Sequence, residues 1–471
     1  MTFYFYDLET SGFNPRSARI MQFGGQRTDL DLKPIGQPHN LFIKLSEDIL
    51  PDPGAVLVTG ITPARTQKDG LSEAEFLKIF NNEIVQPDTI FVGFNSVRFD
   101  DEFMRFLMYR NFCDAYEWQW KDGRSRWDLL DATRLTRALR PEGIQWPLNS
   151  EGVQTNNLGD LAKLNKLAHA NAHDAVSDTL ATIDLAKLIK GKQPKLFDYQ
   201  LGLRGKKAVE EFVRAGQPFI YTSGKYPSEY EKTTIVQVIA NNPNNQGVLV
   251  YDLREDPEQF AKLTIDQLAE AWRYSKEPDK LRLPIKTLKF NRCPAVAPLS
   301  TLDKQAEKRL QLNMQKIEEN SKKLTAISDW PKNILLARNI LDKEQQTRLL
   351  EVPPIVDNQL YDNFITDEDK QAMALVRNTE PAQYNKVAQH LKDKRLKTLL
   401  PLYKARNFPQ SLSKEEKQIW NNHCQLALDA TLSNYFDSIK ELGLQKGLTQ
   451  NQHHLLDELK AYGESLKLKF L

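Results

Sequence analysis

Two acidic residues stand two positions apart at the end of an aromatic run near the N-terminus. The run Met1–Tyr6 leads directly into Asp7 and Glu9, and an alternating strand places both side chains on one face of a sheet. Carboxylates that close repel each other unless a cation lies between them. The pair is therefore a candidate metal site, although two solvated acids at a strand end would give the same pattern.

Two further segments offer polar side chains of the same kind. Asp100 follows a short apolar strand at a predicted helix start, where it or Asp101 could equally be an N-cap. His173 stands just before another helix start and Asp178 lies one turn inside that helix, because Asp174 is a natural N-cap. The imidazole can then lean over whatever Asp178 binds, although a histidine in such a place is often only a surface residue.

Taken together, these residues are what a two-metal phosphodiesterase needs. Four carboxylates, Asp7, Glu9, Asp100 and Asp178, offer only oxygen ligands, which suit Mg²⁺ or Mn²⁺ rather than zinc. Two such ions, roughly 3.5–4 Å apart, stabilise the attacking and the leaving oxygen of an in-line displacement. His173, whose unperturbed pKa is about 6.5, can accept a proton from the attacking water near neutral pH.

The elements that must position these residues alternate over the first 190 or so residues. Periods of two and of 3.6 predict strands and helices in turn, and this alternation is typical of an α/β domain with helices packed on a mixed sheet. The predicted strands of this part are Phe3–Leu8, Arg19–Thr28 and Thr89–Phe94, and the predicted helices are Asp101–Arg110, Trp127–Leu139, Leu158–Leu167 and Asp174–Lys190.

Two breaks divide the rest of the chain. A helix stop and linker are predicted at Gly191–Pro194, and a second break at Val352–Ile355. Between them, β-rich runs and a helical stretch at Lys304–Lys323 indicate a mixed domain. Helices with charged faces follow to the C-terminus. Their basic runs, Lys392–Lys397 and Tyr403–Arg406, could be a solvated helix face or the wall of a nucleic-acid channel.

The composition limits the class of protein without defining a function. The chain has 471 residues, 40% of them hydrophobic and 27% charged, and a net charge of +2. A length of this order predicts more than one domain. No apolar run is long enough for a membrane span, and no signal peptide is expected. Three scattered cysteines exclude a disulfide framework and fit a reducing cytoplasm.

These motifs resemble the DEDDh group of 3′–5′ exonucleases. Asp7 and Glu9 match the first acidic motif, Asp100 matches the second, and His173 with Asp178 match the third. Longer stretches resemble the bacterial exonuclease I family within that group, and the resemblance covers essentially the whole chain. These stretches are Pro53–Pro63, Val97–Glu102, Ser125–Asp131, Leu139–Ile144, Gln193–Tyr199 and Ala405–Pro409.

The resemblance implies a fold and an activity. It implies a ribonuclease H-like α/β exonuclease domain over 1–190, a middle domain over 194–350 that contains an SH3-like β-barrel, and an α-helical C-terminal domain over 354–471. The implied activity is Mg²⁺-dependent digestion of single-stranded DNA from its 3′ end to 5′-mononucleotides, in DNA repair or recombination. A monomer acting on DNA in the bacterial cytoplasm, associated with the nucleoid, is expected.

Residues that hold the strand are predicted in a segment that interleaves basic and aromatic side chains, between Arg105 and Arg140. Rings that stack on bases and cations that contact phosphates are what a sequence-independent single-strand groove needs, although singly most of these rings would be core. We expect Tyr116 and Trp120 to stack on bases and Arg105 and Arg134 to contact phosphates. The resemblance supports these four positions.

Three further contacts come from the resemblance alone. Glu9 is expected to touch the substrate as well as the metal. The family has a basic residue just before the leucine that opens the helix ahead of His173. Here Asn157 stands in that place, so any role at the 3′ end must be performed without charge. Arg140 and Tyr199 match the surface that binds the acidic C-terminal tail of single-strand-binding protein.

Two other functions compete with this interpretation. One is an RNA-directed exonuclease of the same group, but such chains are generally near the length of the first domain alone. The other is a non-catalytic single-strand-binding protein on a degenerate nuclease fold. All five catalytic positions hold competent residues, which counts against it.

Overall fold

The computed structural model describes residues 1–167, 173–242, 247–275, 277, 280–350 and 355–471, and for 348–350 it describes the backbone alone. Its contacts form two compact units. The first unit comprises the described residues of 1–125, 168–181 and 354–471, and the second those of 126–167 and 182–353. The predicted division into domains at 190–194 and 350–354 stays a prediction.

The strands fall into an N-terminal group and a middle group. They are β1 (Thr2–Thr10), β2 (Ile20–Thr28), β3 (Pro34–Phe42), β4 (Thr89–Gly93), β5 (Ser125–Asp128), β6 (Phe219–Thr222), β7 (Thr233–Asn241), β8 (Gly247–Asp252), β9 (Ile285–Lys289) and β10 (Ala295–Pro298).

The α-helices occur throughout the chain, and beyond residue 355 the regular structure is helical. They are α1 (Pro53–Thr59), α2 (Pro63–Asp69), α3 (Glu73–Ile79), α4 (Asp100–Arg110), α5 (Leu129–Leu139), α6 (Leu158–Leu164), α7 (Ala175–Lys192), α8 (Pro194–Gly202), α9 (Lys206–Arg214), α10 (Glu258–Ala261), α11 (Ile265–Trp272), α12 (Lys304–Arg309), α13 (Met314–Ala326), α14 (Trp330–Leu350), α15 (Asp367–Asn378), α16 (Tyr384–Ala388), α17 (Lys394–Asn407), α18 (Lys414–Asp429), α19 (Leu432–Gly443) and α20 (Gln450–Phe470).

Shorter turns connect these elements. A π-helical turn follows α3 at Phe80–Ile84, and the turns of 3₁₀ helix are Glu117–Gln119, Lys121–Gly123, Ser228–Tyr230, Leu299–Thr301, Val356–Tyr361, Pro381–Gln383 and Pro409–Ser411. Among the helices that the structure describes, none is long and apolar enough to cross a bilayer.

In the first unit, β1 is the central strand that carries the first two acids. The strands run in the order β3-β2-β1-β4, with β2 antiparallel and β4 parallel to β1. Tyr4, Tyr6 and Leu8 point to one face of β1 and pack into a core that includes Phe23 and Trp118. Because side chains alternate along a strand, the residues between them, including Asp7, point to the opposite face.

The second unit is built on a sheet of its own. Its antiparallel strands run in the order β10-β6-β7-β8-β9. The buried Trp330 of α14 packs against Tyr251 of β8, with the ring centroids 5.2 Å apart. The structure therefore confirms that the middle of the chain is rich in strands interrupted by helices.

One prediction about the helices is wrong and another is confirmed in part. The stretch Lys304–Lys323 is not one helix, because Gln311 adopts a left-handed backbone (φ 53°) and α13 begins anew after Asn313, whose side chain caps it. The helix stop predicted at Gly191–Pro194 is confirmed, because α7 ends at Lys192, but the predicted linker is only Gln193, since α8 begins at Pro194. Proline is favourable at the first position of a helix. Of the break at Val352–Ile355, all but Ile355 lies outside the described residues.

A buried network of ion pairs joins the N-terminal and C-terminal parts of the first unit. Asp357 pairs with Arg19 and with Arg406, both at 2.7 Å, and Arg406 also pairs with Asp48 at 2.6 Å. All four side chains are 7% exposed or less. Arg406 belongs to a basic run for which a solvated face or a channel wall is predicted. It serves neither role, because it neutralises buried acids.

The network makes the first unit sensitive to acid. Burial alone would raise the pKa of Asp48 and of Asp357, but the charges of Arg406 and Arg19 outweigh it and both values lie below the usual range. A carboxylate with a lowered folded pKa stabilises the fold above its unfolded pKa of about 3.9. That contribution is lost as pH falls through the folded pKa.

We expect Asp357→Asn to lower the free energy of unfolding by about 3–5 kcal/mol at pH 7, because it leaves two buried arginines short of a counter-charge. The variant should also lose less stability than the wild type when the pH is lowered from 5 to 3. Urea unfolding followed by circular dichroism measures both effects.

The matched control is Asp367→Asn, since this carboxylate is 97% exposed and its pair with Lys370 is at 3.9 Å. Exposed pairs contribute about 0–1 kcal/mol, so the control should stay close to the wild type. An Asp357→Asn protein as stable and as acid-sensitive as the wild type would contradict the role given to the network.

Candidate active site

Three carboxylates of the first unit converge, as their spacing in the sequence predicts. Asp7 and Glu9 come from β1 and Asp178 comes from the first turns of α7. One oxygen from each lies within 4.8 Å of the others. A strand and a helix that are far apart in the chain therefore bring three hard oxygen ligands to one point.

Asp100 is the fourth acid and faces the same place. It is the first residue of α4 and is 3% exposed, and its charge is among the causes that raise the pKa of Asp7. The alternative that Asp100 or Asp101 is an N-cap is wrong, because the cap position is Phe99 and no side chain caps the helix. Asp100 thus lies in the first turn of α4 and not at its cap position.

The electrostatics of the cluster oppose its assembly. Desolvation raises the pKa of Asp7 well above its usual value, and the neighbouring Asp100 and Asp178 raise it further. Desolvation also raises the pKa of Glu9, to about 8, with Asp178 and Asp174 adding to the effect. Acids that repel each other in this way are stabilised as carboxylates by a cation between them.

The residues present fit a divalent metal. Their ligand atoms are all oxygens, those of Asp7, Glu9 and Asp178 lie within reach of one ion, and burial together with neighbouring carboxylates raises the pKa of Asp7 and of Glu9. Oxygen-only sites of this kind suit Mg²⁺ or Mn²⁺. Among the described residues, this is the one group of three or more such side chains with metal-binding geometry.

His173 lies immediately before α7, where the sequence predicts it. Its backbone is left-handed (φ 62°) and its side chain is exposed. Asp174 caps the helix, since its Oδ1 accepts a hydrogen bond from the backbone N of Ser177 at 3.0 Å, and its carbonyl accepts one from the N of Asp178 at 2.9 Å. The histidine and the last acid are therefore held by the same cap.

Gln22 of β2 anchors this cap, a role that no pattern in the sequence predicts. Gln22 stands opposite Glu9 in the ladder and is 1% exposed. Its Nε2 donates to Asp174 Oδ2 at 2.9 Å, and its Oε1 accepts from the N of Ala175 at 3.3 Å. Nearby, a Cβ on Gly24 would lie 2.2 Å from the carbonyl carbon of Ala175. The strand and the helix start therefore touch through their backbones.

A second hydrogen bond secures α4. Tyr6, which precedes Asp7 and points into the core, donates to Asp101 Oδ1 at 2.5 Å. The carboxylate beside Asp100 is thus bonded to the strand that carries Asp7. Alternation along β1 predicts that Tyr6 is buried, but the sequence does not show which residue its hydroxyl meets.

The aromatic residues expected to stack on bases differ from their neighbours in exposure. Tyr116 is 37% and Trp120 62% exposed, whereas Trp118 between them is 3% exposed and belongs to the core. Arg105 lies with its guanidinium 5.5 Å from the Tyr116 ring centroid. It is 6% exposed and bonded to Glu102 at 2.7 Å. The structure thus places a buried, already paired arginine beneath an exposed ring.

The remaining predicted contacts lie in the second unit. Arg134 pairs with Asp131 at 2.7 Å and is partly exposed. The exposed Asn157 caps α6 by accepting a hydrogen bond from the N of Asp160 at 3.2 Å.

The two residues expected to bind the partner protein also lie in this unit. Arg140 donates to the carbonyl of Thr301 at 2.9 Å and lies 3.3 Å from Asp303. Tyr199 is partly buried, which raises its pKa to about 12, and its hydroxyl has no hydrogen-bond partner among the described residues.

Three family models match successive parts of the chain. They are described as Exonuclease, over residues 4–186, Exonuclease I SH3-like domain, over 204–336, and Exonuclease I C-terminal domain, over 355–466. These matches confirm the predicted fold class, in which a ribonuclease H-like exonuclease part precedes an SH3-like middle part and a helical C-terminal part.

Individual proteins are similar over almost the whole chain. Exodeoxyribonuclease I of Haemophilus influenzae is 37% identical over 99% of this chain and 98% of its own. A zinc-bound complex of Escherichia coli exonuclease I with single-stranded DNA is 36% identical, has a TM-score of 0.92 and covers 99% of both chains. A structure described as SSB/exonuclease I with the inhibitor CFAM is 35% identical, with a TM-score of 0.89 and the same coverage.

We expect Gln22→Leu to weaken Mn²⁺ binding by about tenfold, because residues that orient metal ligands typically contribute 10- to 100-fold to affinity. The change removes the bonds that fix Asp174 and Ala175, and with them the start of the helix that carries Asp178. Calorimetric titration of the protein with Mn²⁺ measures the affinity.

Gln26→Leu is the matched control, since Gln26 lies on the same strand, is 2% exposed and donates to backbone carbonyls of β2 and β3. It should reduce stability but leave the Mn²⁺ affinity unchanged. Equal effects of the two changes on Mn²⁺ binding would show that Gln22 contributes only to the sheet.

Proposed function

The chain belongs to the exodeoxyribonuclease I family, and from this premise we propose that it hydrolyses single-stranded DNA from the 3′ end to 5′-mononucleotides. The observation that carries the proposal is the convergence of Asp7, Glu9 and Asp178, with Asp100 facing them and His173 beside them. These are the five residues that the group's catalytic motifs require.

Asp7, Glu9, Asp100 and Asp178 would hold Mg²⁺, as two ions, with Mn²⁺ able to replace it. Oxygen-only ligation and the raised pKa values of Asp7 and Glu9 support this assignment. When bound, divalent ions supply the positive charge that stabilises the attacking and the leaving oxygen of the displaced phosphodiester. Glu9, the acid nearest the exposed loop that follows β1, would also touch the terminal nucleotide.

His173 would act as the general base. Its exposed imidazole can take a proton from water as the water oxygen bonds to the terminal phosphorus. The bond from phosphorus to the O3′ of the shortened strand breaks, and that oxygen receives a proton from solvent. Asp174, held by Gln22, fixes the backbone from which the imidazole extends. The water that attacks is thus activated from a helix start rather than from a mobile surface side chain.

The exposed rings of Tyr116 and Trp120 would receive unpaired bases. Their exposure, beside a buried Trp118, is what a stacking surface needs, and stacking requires no particular base. Arg105 would add positive charge under the Tyr116 ring, and a phosphate that reached it would compete with Glu102. A duplex would first have to unpair, which favours single strands.

In the second unit, Arg134 would contact a phosphate and Asn157 would approach the 3′ end without charge. Arg140 and Tyr199 would bind the acidic C-terminal tail of single-strand-binding protein. Support for the pair comes from the Arg140 side chain, which is 35% exposed, whereas the Tyr199 hydroxyl is buried and has no hydrogen-bond partner among the described residues. We further infer that the protein acts as a monomer on DNA in the bacterial cytoplasm, where its free thiols Cys113, Cys293 and Cys424 stay reduced.

Two variants should distinguish the loss of metal binding from the loss of proton transfer. Asp178→Asn should lose Mn²⁺ binding and at least about 10³-fold in rate, because the charge stabilisation is lost with the metal. His173→Ala should keep Mn²⁺ binding but lose about 10²- to 10⁴-fold in kcat. Calorimetry gives the first quantity and release of mononucleotides gives the second.

His453→Ala provides a matched control, since this histidine is exposed on α20. It should digest DNA like the wild type. Near-normal turnover by Asp178→Asn would remove the metal assignment, and near-normal turnover by His173→Ala would assign the proton acceptor to another group.

The exposed rings and the need for a free 3′ end predict which nucleic acids are digested. We expect rapid digestion of linear single-stranded DNA, slow attack on blunt duplex, since unstacking costs a few kcal/mol per step, and no cleavage of a single-stranded circle. A matched RNA oligonucleotide should be degraded slowly. Gel analysis of end-labelled substrates in Mg²⁺ distinguishes all four.

Circular DNA degraded as fast as linear DNA would exclude an exonuclease. Faster digestion of the RNA than of the DNA would instead favour an RNA-directed enzyme of the same group. Binding of the linear strand with no release of mononucleotides would favour a non-catalytic binding protein.

A further inference from the structure

One short segment of the C-terminal part touches both elements that carry acidic ligands from the N-terminal part. This segment, Val356–Tyr361, is a turn of 3₁₀ helix in the first unit; we refer to it as the clasp segment. In the N-terminal part it contacts the loop that follows Glu9 and the helix that begins at Asp100.

On the loop side, the clasp segment fixes Ser11, two residues after Glu9. The N of Ser11 donates to the carbonyl of Arg19, and the N of Arg19 donates to Ser11 Oγ, both at 2.8 Å. Arg19 is in turn held by Asp357 of the clasp segment at 2.7 Å. Arg16, in the same loop, donates to the carbonyl of Asn358 at 3.1 Å. The loop is thus closed on itself and tied to the C-terminal part at two points.

On the helix side, the clasp segment contacts one stripe of α4. The hydroxyl of Tyr361 donates to Glu102, which stands two residues after Asp100. The Tyr361 ring packs edge-on against Phe106, with the centroids 5.7 Å apart, and Tyr109 donates to the carbonyl of Val356 at 3.1 Å. Positions 102, 106 and 109 lie on one face of a helix, so the segment fixes both the rotation and the height of α4.

We propose that the clasp segment positions the catalytic acids by setting the separation of Glu9 and Asp100, so that metal affinity depends on residues of the C-terminal part. The proposal rests on the proposed function, in which these acids bind the metal. An ordinary packing contact would support stability alone. Here the helix-side contact falls at Glu102, two residues after Asp100. On the loop side the clasp segment holds Arg19, whose backbone bonds Ser11, two residues after Glu9. Ligands must be held within a fraction of an ångström to bind an ion well.

Two conservative variants test each side separately. Tyr361→Phe removes only the hydroxyl that reaches Glu102 and keeps the ring against Phe106. Arg16→Gln removes the bond to the carbonyl of Asn358 from a partly exposed position. Each should weaken Mn²⁺ binding by about tenfold, measured by calorimetry on the full chain without DNA, and should lower kcat at subsaturating Mn²⁺. Affinity for a single-stranded oligonucleotide in chelator should stay within about twofold of wild type.

Tyr274→Phe is the matched control, because this tyrosine is 84% exposed and lies in the second unit; it should change neither quantity. Unchanged Mn²⁺ affinity in both clasp variants would overturn the proposal, whatever happens to their thermal stability. Weakened DNA affinity with normal Mn²⁺ affinity would also overturn it, since Tyr361 would then be a DNA contact. A wild type that binds Mn²⁺ but digests no DNA would count against the proposed function and leave the Mn²⁺ comparison valid.

Discussion

Mutual repulsion among buried carboxylates is the constraint on which the rest of the first unit depends. Burial and then the charges of Asp100 and Asp178 raise the pKa of Asp7, so the polypeptide must hold these acids together before a cation can balance their charge. No single element could do this, because each of them supplies only one or two of the acids. Hydrogen bonds from side chains that are not ligands hold β1, α4 and α7 together near the acids.

These hydrogen bonds between elements follow one pattern. Tyr6 ties the strand to Asp101, Gln22 ties the neighbouring strand to Asp174, and Tyr361 ties the C-terminal part to Glu102. Each reaches a polar residue within four positions of a ligand rather than the ligand itself. The backbone that carries the acids is thus fixed through neighbouring side chains.

Much of this could be predicted from the sequence, and the reason is local. The spacing of Asp7 and Glu9 on a strand, and of His173 and Asp178 around a helix start, follows from the geometry of one element. The edge strand β3 was not predictable in that way, because Pro34–Phe42 is largely exposed and contains two prolines. The left-handed backbone at Gln311, which divides α12 from α13, was not predictable either, because the residue there is not a glycine.

Contacts between residues far apart in the chain could not be predicted from a single sequence, for a different reason. Gln22, Arg105 and Arg406 are polar residues of types that usually lie at the surface, yet the side chains of all three are buried and bonded. Only their partners explain this, and the partners of Gln22 and Arg406 are far away in the chain. Arg105, expected to meet phosphate, is already paired with Glu102, and the partner of Arg406 is an aspartate near the N-terminus.

The buried ion network also has a consequence for the order in which the chain is made. During synthesis the N-terminal part emerges from the ribosome first. It then carries Arg19 without its partner Asp357, and Asp48 without its partner Arg406. The nascent nuclease part must therefore keep these charges hydrated until residues 357 and 406 have been translated. The Arg19 side chain, whose backbone closes the loop after Glu9, gains its counter-charge only at that stage.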